Sequence, residues 1–131
     1  MPRQGAVVLL VEDDADIREL MALVLSDEGY AVSTAENGLR GLELARERQP
    51  ALIVLDLMMP VMSGWEFRAH QRADPSLAGV PVIVVSAAAP GSEPLEVAAY
   101  ISKPFDFDVL VRTVHQLVVE GTAEGGIAEL R

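Results

Sequence analysis

Glu12 and Asp13 follow one unbroken apolar run, residues 7–11, and Asp56 follows another, residues 52–55. Such runs of Val, Ile and Leu read as strands buried on both faces. In an open parallel sheet, ligands collect beyond the carboxyl ends of the strands, where the strand order reverses. If these two strands are neighbours, Glu12, Asp13 and Asp56 converge on one small rim. Two ionised carboxylates about 5 Å apart repel by roughly 3 kcal/mol at an effective dielectric near 20. A hard divalent cation with oxygen ligands offsets that repulsion. Acidic residues also favour helix starts, and this plainer role suits Asp14 and Asp16. A cap accounts for one member of the triad but not for three.

Two more strand ends add chemistry. Residues 82–85 lead to Ser86 and the small Ala87, and residues 99–102 lead to Lys103 and Pro104. Alone, a serine there is an ordinary cap and a lysine ordinary solvated surface. Beside the triad they complete a nucleophilic carboxylate, a metal site, an ammonium and a hydroxyl. That set suits phosphoryl transfer, where catalysis is mainly positioning and neutralisation of charge.

The elements that must position these groups alternate. Predicted strands fall at 7–11, 31–34, 52–55, 82–85 and, more weakly, 99–102. Helical spacing of apolar residues marks 16–26, ended by Gly29, and 36–48, closed by Pro50. A third helix starts near Gly64 and carries Trp65, Phe67 and Arg68, both aromatics being expected to pack in or near the core. The last helix spans 106–120, with Val111, Val114, Leu117 and Val118 on its apolar face. This βα alternation predicts an α/β doubly wound domain with right-handed crossovers. Residues 1–120 form one domain, and 121–131, rich in Gly, Ala and Glu, are expected to be a flexible tail.

Composition narrows the function. The chain has 131 residues, half of them hydrophobic, enough for one core. Its formal charge of −10 argues against direct nucleic-acid binding. Without cysteine there is no disulfide, thiol catalysis or thiolate metal site. No apolar run is long enough to span a bilayer or reads as a signal peptide, so a cytoplasmic protein without membrane contact is expected. His70 and His115 fall in helical segments, where surface or packing roles are expected rather than phosphodonor chemistry.

The sequence resembles the receiver domain of two-component response regulators, over roughly residues 6–119. Val8-Leu9-Leu10-Val11-Glu12-Asp13-Asp14, Leu55-Asp56-Leu57-Met58-Met59-Pro60, Val84-Val85-Ser86-Ala87 and Tyr100-Ile101-Ser102-Lys103-Pro104-Phe105 carry the resemblance. Each motif is weak, but all four in order at strand ends are specific. The resemblance implies a flavodoxin-like five-stranded sheet in the order 2-1-3-4-5, of the stand-alone, chemotaxis-regulator-like type. It makes Asp56 the phosphoacceptor. Magnesium, or manganese, would be bound by Asp13 and Asp56, by Glu12 through water and by the backbone carbonyl of Met58. Lys103 would pair with Asp56 and then with the phosphoryl oxygens, and Ser86 would donate to one of them. Ala87 would leave the approach open, and Tyr100 would be the aromatic switch. The Lys103–Pro104 bond would be the family's cis peptide, aiming the lysine at the site. The phosphoryl would come from a sensor histidine kinase or phosphotransfer protein. Since one phosphoryl stays on Asp56 per cycle, the protein is expected to be a switch rather than an enzyme, a monomer or weak dimer.

One departure stands out. Seventeen positions separate Ser86 from Lys103. That is about five fewer than is usual for receivers, or a turn and a half of helix. Pro90-Gly91 and Pro94 lie inside this stretch. The helix between the fourth and fifth strands is therefore expected to be shortened or absent, which puts the family's usual dimer face in doubt. The other departure, Ser63 where an acidic residue often precedes Gly64, carries little weight.

Two other functions compete. A phosphorylation-independent interaction module of receiver fold could keep the acidic pocket as a structural cation site. The presence of Asp56 and Lys103 favours the switch. An aspartyl-phosphate hydrolase would want a general acid two residues beyond its nucleophile, and Met58 cannot transfer a proton.

Overall fold

The computed structural model describes residues 5–87 and 96–122. Along them run β1 (Val7–Val11), α1 (Ala15–Asp27), β2 (Ala31–Ala35), α2 (Gly38–Arg48), β3 (Leu52–Leu55), α3 (Gly64–Ala73), β4 (Val82–Ser86), β5 (Ala99–Ser102) and α4 (Phe107–Thr122). The strands pair in parallel in the order β2-β1-β3-β4-β5. This is the doubly wound, flavodoxin-like arrangement expected from the sequence.

The apolar runs are buried on both faces because successive side chains of a strand point to opposite sides. Val8, Leu10, Val54, Ile83 and Val85 pack against Met21 and Leu25 of α1 and Leu110, Val114 and Val118 of α4. Leu9, Val11, Ile53, Leu55 and Val84 pack against Leu42 and Ala45 of α2 and Phe67 of α3. Each such side chain contributes about 1.5–3 kcal/mol on leaving water, so the three central strands anchor the domain.

Local signals set the helix ends. The Asp14 carboxylate caps α1 by accepting from Ile17 N, and Asp16 lies in its first turn, the plain roles expected of both. Gly29, at φ 100°, terminates α1, a conformation open to glycine at no steric cost. Gln49 closes α2 in the left-handed region ahead of Pro50. Ser63 and Glu66 form a reciprocal capping box on α3, which gives Ser63 a structural reason of its own. Trp65 is a correction. Phe67 is fully buried, but Trp65 remains 39% exposed. Residues two apart on a helix are rotated by about 200°, so these two cannot share the inward face.

The shortened or missing helix expected between β4 and β5 would fall on 88–95, outside the described residues. Among the described residues there are four helices, none of them in that connection. The last helix continues to Thr122, past the end expected from the sequence. The rest of the expected tail, 123–131, also lies outside the described residues.

Candidate functional site

Val11 pairs with Leu55 at the ends of β1 and β3, so the next residues of both strands emerge side by side. Main-chain bonds extend the sheet into them: Glu12 N donates to Ala35 O at 3.0 Å and Asp56 N to Val11 O at 3.0 Å. Carboxylate oxygens of Glu12, Asp13 and Asp56 lie within 4.8 Å of one another. Glu12 and Asp56 are buried, 1% and 5% exposed, while Asp13 is exposed at the mouth.

Lys103 reaches this cluster from the end of β5. Its Nζ donates to Glu12 Oε1 at 2.7 Å and to Asp56 Oδ2 at 3.3 Å. The second oxygens of Glu12 and Asp56 are also engaged: Asp14 N donates to Glu12 Oε2 at 3.1 Å, and Met58 N to Asp56 Oδ1 at 3.2 Å. Burial pushes the Glu12 carboxyl from 4.5 up to about 7, against the lowering effect of Lys103 and the Asp14 amide, and the Asp56 charge adds to the rise. Burial alone would pull the Lys103 ammonium down. Glu12 and Asp56 outweigh that and hold it above the ordinary lysine value.

The other predicted residues gather at the same end of the sheet. Ser86 is buried, and its carbonyl accepts from Lys103 N at 3.0 Å. Ala87 is exposed and shares a cavity of about 330 Å³ with Ile17, Lys103, Pro104, Phe105 and Phe107. The Lys103–Pro104 peptide is cis. Tyr100 pairs with Val84 and packs, partly buried, against the core on the α2–α3 side. Burial raises its phenol pKa, and the Asp56 charge adds to the rise. Met58 contributes its backbone here, and its side chain is 58% exposed. His70 and His115 are exposed on α3 and α4.

Sequence reasoning missed two features. The resemblance paired Lys103 with Asp56, yet its nearer partner is Glu12. Arg18 was passed over, although its guanidinium donates to the carbonyls of Glu12 and Asp13. A signal for Arg18 existed, because helical side chains lean toward the N-terminus and a long one in this turn reaches the preceding loop.

The donor set fits a hard divalent cation. All its ligating atoms are oxygens, and three carboxylates against one ammonium leave two negative charges uncompensated when ionised. A family profile described as the response regulator receiver domain matches residues 8–115. The chain belongs to that family.

Two curated relatives and one solved structure show the receiver's neighbourhood. The receiver is 39% identical over 125 residues to the transcriptional regulatory protein CseB of Streptomyces coelicolor, covering 91% of the chain and 52% of CseB. It is 32% identical over 123 residues to the DNA-binding dual master transcriptional regulator RpaA of Synechocystis, covering 90% of the chain and 49% of RpaA. The chemotaxis response regulator CheY4 of Vibrio cholerae superposes with a TM-score of 0.80 at 28% identity, over 87% of this receiver and 99% of CheY4. The receiver thus spans about half the length of CseB and RpaA. Among the described residues no helix is long and apolar enough to cross a membrane.

Proposed function

We propose that this receiver accepts a phosphoryl group on Asp56 from a phosphohistidine of a sensor histidine kinase or phosphotransfer protein. The observation that carries the reading is the setting of the Asp56 carboxylate. It is buried, held by Lys103 and by the Met58 amide, and ringed by the oxygens of Glu12 and Asp13. An Asp56 oxygen attacks phosphorus, the bond from phosphorus to the donor imidazole breaks, and the imidazole takes up a proton from water. The product is an acyl phosphate bearing nearly two negative charges.

The surrounding residues divide that work. Lys103 keeps its bond to Glu12 while its other protons turn from Asp56 to the phosphoryl oxygens. Ser86 donates its hydroxyl to one of those oxygens, and Ala87 leaves the approach unobstructed. Asp13 and Asp56, the Met58 carbonyl and, through water, Glu12 would hold Mg2+ or Mn2+. When bound, the ion supplies positive charge against the phosphoryl oxygens. Tyr100 turns further inward as Ser86 shifts, and the altered surface changes protein contacts. The receiver acts as a cytoplasmic switch rather than an enzyme, as a monomer or weak dimer.

The test is incubation with acetyl phosphate, with and without Mg2+, followed by intact-mass measurement. A Mg2+-dependent gain of one phosphoryl is expected. No gain under either condition would point instead to a phosphorylation-independent interaction module.

A further inference from the structure

Of the three clustered carboxylates, two are fixed by their own hydrogen bonds. Glu12 is held by Lys103 and the Asp14 amide, and Asp56 by Lys103 and the Met58 amide. Asp13 differs. It is exposed, and no described residue donates a hydrogen bond to its carboxylate. Where its oxygen lies depends on where its main chain lies.

On that main chain Glu12 N donates to Ala35 O and Asp14 N to Glu12 Oε2, and the carbonyls are held by Arg18. Its Nη1 donates to Glu12 O at 2.8 Å and to Asp13 O at 3.4 Å, spanning two successive carbonyls of the loop between β1 and α1. Among the described residues Arg18 forms no ion pair with a carboxylate, despite the acidic residues around it. Its donors serve the backbone instead. As a bare charge, a guanidinium beside a cation site opposes cation binding. Bonded through Nη1 to the loop carbonyls, it adds to the Glu12 N–Ala35 O and Asp14 N–Glu12 Oε2 bonds and steadies the main chain that carries Asp13.

We propose that Arg18 is a positioning residue for the metal site, pinning the Glu12–Asp13 backbone so that Asp13 stays on the rim with Glu12 and Asp56. The inference rests on the reading that this triad binds a divalent cation, and it goes beyond that reading by naming what holds the exposed ligand. The two possible roles of Arg18 have opposite signs. Loss of a mere positive charge tightens Mg2+ binding, whereas loss of a support for a ligand weakens it, typically about 10–100-fold.

The experiment is a calorimetric titration of the full chain with Mg2+ at pH 8 and fixed ionic strength. It compares the unaltered protein, Arg18→Ala and Arg18→Lys. We expect Arg18→Ala to bind Mg2+ about 10–100-fold more weakly. Arg18→Lys, which keeps the charge and one donor, recovers part of that loss. Unchanged or tighter binding in Arg18→Ala overturns the inference while leaving the cation site intact. Should Arg18→Ala fail to fold, Arg18→Lys decides: weaker binding supports the clamp and equal affinity overturns it. Absence of Mg2+ binding in the unaltered protein overturns the cation-site reading and the inference together.

Discussion

Lys103 lies closer to Glu12, at 2.7 Å, than to Asp56, at 3.3 Å, so the site's ammonium is anchored on a residue other than the proposed acceptor. In the proposed transfer that anchor would let Lys103 turn toward the phosphoryl group without losing its place. It also leaves a deeply buried carboxyl whose proton is held to about pH 7, above its ordinary 4.5. The folded protein therefore binds this proton more tightly than the unfolded chain does. The associated stability is fully present below pH 4.5 and is lost as pH rises through about 7. Its size is on the order of 3 kcal/mol. Urea unfolding of the metal-free protein is expected to show this loss between pH 5 and 8, and Glu12→Gln to remove it. An unchanged pH slope in Glu12→Gln would contradict the assignment.

Much of this was legible in the sequence. The apolar runs gave the strands because they are buried on both faces, and Glu12, Asp13, Asp56 and Lys103 met because each directly follows a strand. The fourfold motif supplied the strand order, which no single run encodes. Other features depend on three-dimensional neighbours. Trp65 and Phe67 look alike in composition, yet the rotation of a helix sends only one inward. The preference of Lys103 for Glu12 depends on where the folded strands bring its Nζ, 2.7 Å from Glu12 Oε1 and 3.3 Å from Asp56 Oδ2.

Val61, at φ 69°, is the centre of a γ-turn in which Met62 N donates to Pro60 O at 2.7 Å, an unfavourable place for a β-branched residue, and it is 74% exposed. Asparagine tolerates that conformation, and little packing is lost by the exchange. Val61→Asn is expected to raise unfolding stability by about 1 kcal/mol. A drop in the urea midpoint would show that the strain is not there to be relieved.

Gly64 opens α3 against the residues that follow β3. A Cβ at this position would crowd the Asp56 carbonyl and lie 2.6 Å from Leu57 Cα. Both are main chain and cannot swing aside. Gly64→Ala should destabilise the domain by about 2–3 kcal/mol and slow phosphorylation by displacing the acceptor peptide. Gly79→Ala is the control, since nothing lies within 4 Å of its added methyl. Equal stability of the two variants would refute the close approach.

Met58 stands two residues beyond the acceptor and presents an apolar thioether that cannot help a water molecule attack. The acyl phosphate is therefore expected to outlast seconds once the donor is removed. Met58→Asn, which offers hydrogen-bonding groups there, should shorten its life by up to roughly tenfold, the worth of one hydrogen bond to the attacking water. Intact-mass time courses measure both, and hydrolysis of the unaltered phosphoprotein within seconds would contradict this part for Met58.

Asp56 alone among the carboxylates is predicted to take the phosphoryl group. Borohydride reduces an acyl phosphate to an alcohol, converting a phosphorylated aspartate to homoserine, which peptide mass mapping locates. After treatment with acetyl phosphate and Mg2+, homoserine is predicted at position 56 and at no other aspartate. Homoserine at Asp13 or elsewhere, or its absence throughout, would contradict the account.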